Sequence, residues 1–300
     1  MGKSKIEWTD RVWNPITGCT KISPGCANCY AERMSKRLAG RCGYDKDEPF
    51  KVTLHRDRLH EPMRWTKPSK VFVCSMSDLF HDDVPFSFLD ELFGVMVAAR
   101  KHTFLVLTKR PERMYEYMMT CQRGADDTGY KFPWEHIWLG VTAENQEQAD
   151  KRIPVLLQIP AAVRFVSVEP MLGPVDMTRA MYGPDPEGMS WFGFTDGIGY
   201  EAGIQWVICG GESGPGARPM HPDWARGLRD QCLTAGVPYF FKQWGQYCYP
   251  EQMTRDTYQQ VDMGHNLAGN SDYNKPWSVG KKAAGRLLDG REWNEMPGVE

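Results

Sequence analysis

Six short, β-rich apolar runs recur along the chain, near residues 71–74, 104–107, 137–141, 163–168, 205–209 and 238–241. Helix-like stretches separate them at 87–100, 111–119, 145–157 and 222–235, the last closed by Gly236. Strands alternating with helices in this way predict βα units and a parallel sheet. The runs are apolar at nearly every position rather than every second one, as expected of parallel strands covered on both faces. Each run then ends in polar, chemically capable residues: Ser75, Ser77 and Asp78; Thr108, Lys109 and Arg110; Thr142 and Glu144; Ser167 and Glu169; Gly210, Gly211 and Glu212; Lys242 and Gln243. An open doubly wound sheet uses only the strand ends near its switch point, whereas a barrel gathers all of them at one mouth. The predicted fold is therefore α/β, a partial (β/α), TIM-like barrel over residues 1–245. Residues 246–300 are expected to cap it, and 175–203, rich in Gly, Met and aromatics without periodicity, to form an inserted loop or lid.

The second constraint is Gly18–Tyr30, GCTKISPGCANCY, in which Cys19, Cys26 and Cys29 stand at C-x6-C-x2-C with Pro24-Gly25 turning the chain before the pair. Three soft thiolates on one loop suit Zn²⁺ or an iron–sulfur cluster, and unrelated cysteines remain the third option. A structural zinc site wants a prompt fourth ligand; the nearest cysteine is Cys42. Nine cysteines, an odd number, and no apolar h-region after a basic start argue for thiols in a reducing cytoplasm rather than disulfides. Tyr30–Leu38 reads as a helix stopped by Gly40. His81, His102 and His221 show no metal-ligand spacing and receive no role.

No apolar run is long enough to span a bilayer, so no membrane contact is expected. The formal net charge is −2, yet residues 31–70 carry eleven Lys/Arg against six Asp/Glu, interleaved with Tyr44, Phe50 and Trp65. That segment is either a phosphate-contacting patch or a solvated connection.

A cysteine triplet after a first strand near residues 6–13, opening a helix and followed by βα units, resembles the radical S-adenosylmethionine (SAM) superfamily. The runs IEWTDRVWNPITGC, SPGCANCYAERM, SMSDLFHDDVP, LTKRPERM, WLGVTAENQ, RFVSVEPMLGP, CGGESGPGARPM and FFKQWG are similar to a bacteriophage-associated, radical-SAM-type family. The resemblance implies a four-iron (4Fe–4S) cluster on Cys19, Cys26 and Cys29, with one iron open to SAM. Two departures stand out: the first cysteine gap has six residues where three are usual, and Asn28 replaces the usual aromatic before the last cysteine, leaving adenine stacking to Tyr30.

By the same resemblance Ser75, Ser77 or Asp78 would hold the SAM ammonium and Lys109 or Arg110 its carboxylate. Thr142 and Glu144 would hold the ribose, with Gly210 and Gly211 giving close backbone approach. Glu169, Lys242 and, as hydrogen-atom donor, Cys209 are the catalytic candidates; helix capping by Asp78 and Glu144 and an inert buried Cys209 are the plainer alternatives. The implied reaction is SAM cleavage to a 5′-deoxyadenosyl radical that abstracts a substrate hydrogen, leading to rearrangement of a modified nucleobase in phage DNA. Lyase or repair chemistry of the spore-photoproduct kind and a small-metabolite substrate are neighbouring readings, and a zinc-stabilised, non-catalytic nucleic-acid-binding protein is the alternative from another class. A flavodoxin- or ferredoxin-type reductant and a cytoplasmic location, in the host if phage-encoded, complete the expectation; oligomeric state is left open.

Overall fold

The computed structural model describes residue 4, residues 6–182, 203–256, residue 259 and residues 275–298. Seven strands make one parallel sheet: β1 (Arg11–Trp13), β2 (Lys70–Val73), β3 (Thr103–Thr108), β4 (Ile137–Thr142), β5 (Arg164–Val168), β6 (Trp206–Gly210) and β7 (Tyr239–Gln243). They pair strictly in chain order, with β1 and β7 as the free edges. The connections carry α1 (Tyr30–Leu38), α2 (Phe86–Ala98), α3 (Pro111–Thr128), α4 (Gln146–Leu157), α5 (Thr178–Tyr182) and α6 (Pro222–Ala235) in turn. Crossovers that never reverse direction place α2 to α6 on one face and leave the other to curl inward, while Ala31 of α1 packs in a separate cluster with Tyr44 and Met76.

Side-chain alternation shows both faces. Val71, Val106, Val141, Val166, Cys209 and Phe241 belong to the large core shared with the helices. Leu105, Phe165, Trp206, Ile208 and Phe240 point the other way and form a second cluster around Trp8. Trp8 measures the curl: its ring centroid is 4.7 Å from Phe72 on β2 and 6.1 Å from Trp206 on β6. In a flat sheet strands four places apart are about 19 Å apart, too far for one side chain to touch both. The sheet is a curled, seven-stranded half-barrel.

The C-terminal segment runs under this inner cluster. Asn294 bridges to Phe240, the Trp206 indole N–H donates to the Glu295 carbonyl at 2.9 Å, and the Lys70 ammonium donates to Met296 Sδ at 3.0 Å. Lys281 pairs with Glu7 at 3.0 Å, linking this segment to the chain before β1.

Two expectations shift. The third helix continues well past residue 119, through the polar stretch TCQRGADDT, and ends where Gly129 takes a left-handed conformation. The first strand is only Arg11–Trp13, with a turn before it. Of the expected insertion, Trp191, Phe192, Phe194 and Tyr200 lie outside the described residues. Among the described residues no helix is long and apolar enough to cross a membrane.

Candidate functional site

The barrel interior changes chemistry along its axis. Aromatic residues fill the lower part, and the inward alternation then brings Thr142, Ser167, Gly210 and Lys242 to the upper end. Lys242 Nζ donates to Glu169 Oε1 at 2.7 Å, reaching from β7 past β6 to the residue after β5. Gly210 lies beside that contact: a Cβ there would stand 3.4 Å, van der Waals distance, from both Glu169 Cδ and Lys242 Cβ. Gly211 instead packs its backbone against Trp244, where a Cβ would lie 1.8 Å from the carbonyl oxygen.

Over this mouth lies the cysteine loop. From Cys19 to Cys29 it contains only one short 3-10 turn, Pro24–Cys26, before Cys29 caps α1. Side chains from the strand ends fasten it. After β2, Asp78 accepts from Thr108 Oγ1 at 2.6 Å, Phe80 N at 3.1 Å, Lys109 N at 2.9 Å and Arg110 Nη1 at 3.2 Å. Arg110 continues to the loop, donating to Thr20 Oγ1 at 2.9 Å and to Cys19 Sγ at 3.6 Å. After β4, Glu144 accepts from Arg152 at 2.9 Å, from Gly25 N at 3.0 Å and from the Ser23 hydroxyl. After β6, Glu212 accepts from Arg218 at 2.7 Å and from Asn28 Nδ2 at 3.1 Å, while Arg218 Nη2 donates to the Pro24 carbonyl at 3.0 Å. Arg33 of α1 adds bonds to the Ser213 and Pro215 carbonyls at 3.0 and 3.1 Å.

Charges around the thiols are unequal. Burial and the Asp78 carboxylate hold the Cys19 thiol above its ordinary value, only partly offset by Arg110. Cys26 lies below its ordinary value: burial opposes this, but the Lys109 cation and hydrogen bonds from Ile22 and Ser23 outweigh it. Burial also works against ionised Glu144 and Glu212, yet Lys109, Ser23 and Arg152 keep the first below the usual carboxylate range, and Arg218 and Asn28 the second. The Lys109 ammonium thus acts on both Cys26 and Glu144 while making no hydrogen bond or ion pair of its own among the described residues.

A family profile matches residues 3–297, and its description reads "Protein of unknown function (DUF5131)". The chain belongs to that family. Curated proteins give no match. Among solved structures, a mutant of spore photoproduct lyase is similar at 10% identity and a TM-score of 0.35, over 77% of this chain and 65% of that chain. A likeness of that size carries no weight for the site.

Of the residues singled out in the DUF5131 chain, the mouth gathers Cys19, Cys26, Cys29, Asp78, Lys109, Thr142, Glu144, Glu169, Gly210 and Lys242. Among the described residues no three His, Cys, Asp or Glu side chains stand at metal-ligand geometry. The thiols are neighbours all the same: Cys19 feels Cys26, and the Lys21 ammonium feels both Cys26 and Cys29. Ser77 Oγ donates to the Gly18 carbonyl at 2.6 Å and Ser75 Oγ to Asn14 Oδ1 at 3.3 Å, so both serve the base of the loop. Tyr30 is exposed on the first turn of α1.

Cys209 is a correction. Strand alternation turns it into the helix-side core against Met171 Sδ at 3.6 Å, where burial pushes its thiol up to about 12 despite a bond with Tyr239. Its sulfur is fully enclosed in that core, on the opposite side of the strand from Ile208 and Gly210. His81, given no role from spacing, is buried with its ring nitrogen 2.9 Å from Thr20 Oγ1. Arg152 and Arg218 were also missed. For Arg152 a signal existed: with Ala149, Ile153 and Leu156 it falls on the buried stripe of α4.

The seat of the loop on Glu144 has a direct test. A Cβ on Gly25 would stand 2.9 Å from the Glu144 carboxyl carbon and Oε1. Gly25→Ala should therefore push the loop off and cost about 1–3 kcal/mol, as overpacking does. Thermal unfolding checks it; an unchanged midpoint would mean the loop does not rest there.

Proposed function

We propose that this chain is a radical-SAM-type enzyme acting on a nucleobase or nucleoside. The observation carrying the reading is the seating of three thiols over a barrel mouth, with the Arg110 guanidinium bonded to Cys19 and the Lys109 charge acting on Cys26. That donor set, three thiols with cations beside them, suits an anionic four-iron cluster with an open iron better than zinc, which closes a structural site with a fourth protein ligand. Cys19, Cys26 and Cys29 would hold the cluster. When bound, cluster and SAM supply one-electron cleavage of the sulfonium and a carbon radical that takes a substrate hydrogen.

The chain's own residues divide the remaining work. Lys109, without a partner among the described residues, is the cation for the SAM carboxylate. Asp78 already accepts four donors, whereas the Ser75 and Ser77 hydroxyls act as donors in their bonds to Asn14 and Gly18 and keep an oxygen lone pair for the ammonium, which makes them the better candidates. Thr142 stays available for the ribose, whereas Glu144 is engaged by the loop. Lys242 and Glu169 lie deeper and can hold or move a proton on the substrate between Nζ and Oε1.

For the substrate we favour a modified base in DNA undergoing radical rearrangement, the electron coming from a flavodoxin- or ferredoxin-type reductant. Several cations of the basic segment serve the fold: Arg56 pairs with Glu91, Lys36 with Glu32, and Arg58 donates to the Cys42 carbonyl. Tyr44 is buried and Trp65 lies under Arg11, so neither is free for a base to stack on. Arg37, Arg41 and Lys46, at the end of α1 and just after it, are exposed and remain for phosphates.

Anaerobic reconstitution with iron and sulfide should load about four iron atoms per wild-type chain, the content of one cubane cluster. Cys26→Ala should abolish that loading, and dithionite with SAM should yield cleavage only in the loaded wild type. A colourless protein with one zinc per chain would overturn the reading. DNA binding should weaken steeply across a salt series, and no binding at low salt would remove nucleic acid as substrate.

A further inference from the structure

The three carboxylates that fasten the loop follow alternate strands, β2, β4 and β6, and each is paired with an arginine: Asp78 with Arg110 just after β3, Glu144 with Arg152 of α4, and Glu212 with Arg218 in the connection after β6. All six side chains except Arg218 are buried or nearly so at the residue level. Their loop contacts fall on different residues. The first pair reaches Thr20 and Cys19, the second Ser23 and Gly25 just before Cys26, and the third Asn28 just before Cys29. Pro24 receives one further bond, from Arg218.

We propose that these three pairs are positioning residues, each setting the cysteine nearest to it, so that the half-barrel rather than the loop itself dictates where the three sulfurs stand. The inference rests on the thiolate-ligand reading above and adds to it the source of its geometry.

The physical argument is one of tethers. Among the described residues, the backbone-to-backbone bonds that lead out of the segment Cys19–Cys29 lie at its two ends: Cys19 N–H donates to the Phe50 carbonyl at 3.1 Å, and the Cys29 carbonyl accepts from Arg33 N of α1 at 3.3 Å. Its other backbone bonds, Cys26 N to Ser23 O and Ala27 N to Pro24 O, shape the 3-10 turn but do not locate it over the sheet. A loop held by its own backbone only at its two ends would leave its middle, with Cys26, free to swing. Charge-assisted bonds from rigid strand ends remove that freedom: Glu144 and Glu212 each bond an arginine and the loop at once, and Asp78 holds Arg110, which reaches the loop in its place. Asparagine at position 28 acquires a reason: its amide N–H₂ donates both to Glu212 and, at 2.6 Å, to the Gly216 carbonyl, an arrangement an aromatic residue lacks the donors to make.

The test uses loop-side variants, which break the contacts without stranding a buried charge. Thr20→Val, Ser23→Ala and Asn28→Ala would be compared with wild type in metal-free, fully reduced protein. Alkylation rates of Cys19, Cys26 and Cys29 are mapped separately by mass spectrometry, and Co²⁺ is titrated by its thiolate charge-transfer band. Each variant should accelerate alkylation of its own neighbour, Cys19, Cys26 and Cys29 respectively, several-fold over the other two. Each should weaken Co²⁺ binding about 10–100-fold, the usual cost of losing a ligand's supporting contact. Because the Ser23 hydroxyl also lies 3.7 Å from Cys26 Sγ, Glu144→Gln is added; it keeps the hydroxyl and should still accelerate Cys26. Uniform acceleration of all three thiols, or none, would overturn the proposal. If the local pattern appears but wild type takes up neither Co²⁺ nor iron, positioning stands and the cluster reading falls.

Discussion

Replacing Arg152 by methionine should cost about 3–5 kcal/mol, the penalty for leaving one partner of a buried ion pair without the other. Glu144 is fully buried and Arg152 is 4% exposed, so water cannot take over the arginine's part. The same guanidinium nitrogen also holds the Thr142 carbonyl at 2.8 Å, so the change frees a strand end as well as a carboxylate. Adding Glu144→Gln should recover part of the loss, because the stranded charge goes with it. The pH dependence has a definite sign. In wild type the Glu144 carboxyl sits below its ordinary 4.5, so its contribution is present above that value and lost as pH falls through the folded-state value. Without Arg152 that depression shrinks, and the gap between variant and wild type should narrow below about pH 4.5. Urea unfolding at pH 7 and pH 4 measures both statements. Equal stability of Arg152→Met and wild type at pH 7 would mean the pair contributes nothing to the seating of the loop.

Why Arg152 escaped notice says what was legible in the sequence. Strands were plain because each is a short β-rich run ending in a polar cluster, and parallel strands buried on both faces carry little else. Predicted 163–168 and 205–209 became Arg164–Val168 and Trp206–Gly210, a shift of one residue at each altered boundary. Polar residues at strand ends were legible as mouth residues, since the fold sends every such end to one place. Their partners were not. Asp78 and Glu144 each looked like a ligand for something bound, whereas each is first a partner for an arginine, Glu144 bonding the cysteine loop directly and Asp78 reaching it through Arg110. Pairings between side chains on different elements are set by three-dimensional closure, which spacing along one chain does not encode. Cys209 failed for a simpler reason: period-two alternation from Trp206 and Ile208 places it on the opposite face, and that count was open to sequence reading.

Trp206→Ala should be the most damaging single truncation of the inner layer, at about 3–5 kcal/mol for a fully buried aromatic. Its ring lies 5.6 Å from Phe165, 6.0 Å from Trp138 and 6.2 Å from Phe240, and its indole N–H is committed to the Glu295 carbonyl. The loss therefore opens a cavity inside the barrel and releases the C-terminal segment beneath it. Trp206→Phe should cost less, since it keeps most of the packing and forfeits only the hydrogen bond and part of the ring. The informative partner is Trp8, which belongs to no strand and yet meets Trp206 edge-on across the sheet's curl. A double-mutant cycle between Trp8→Ala and Trp206→Ala should show coupling of about 0.5–1.5 kcal/mol, the range for aromatic pairs in contact. Such coupling requires the chain before β1 to plug the base of the barrel, which in turn sets the depth at which Glu169 and Lys242 close the interior from above. Strict additivity of the two truncations, measured by urea unfolding, would mean the sheet is flatter than described and the mouth correspondingly wider.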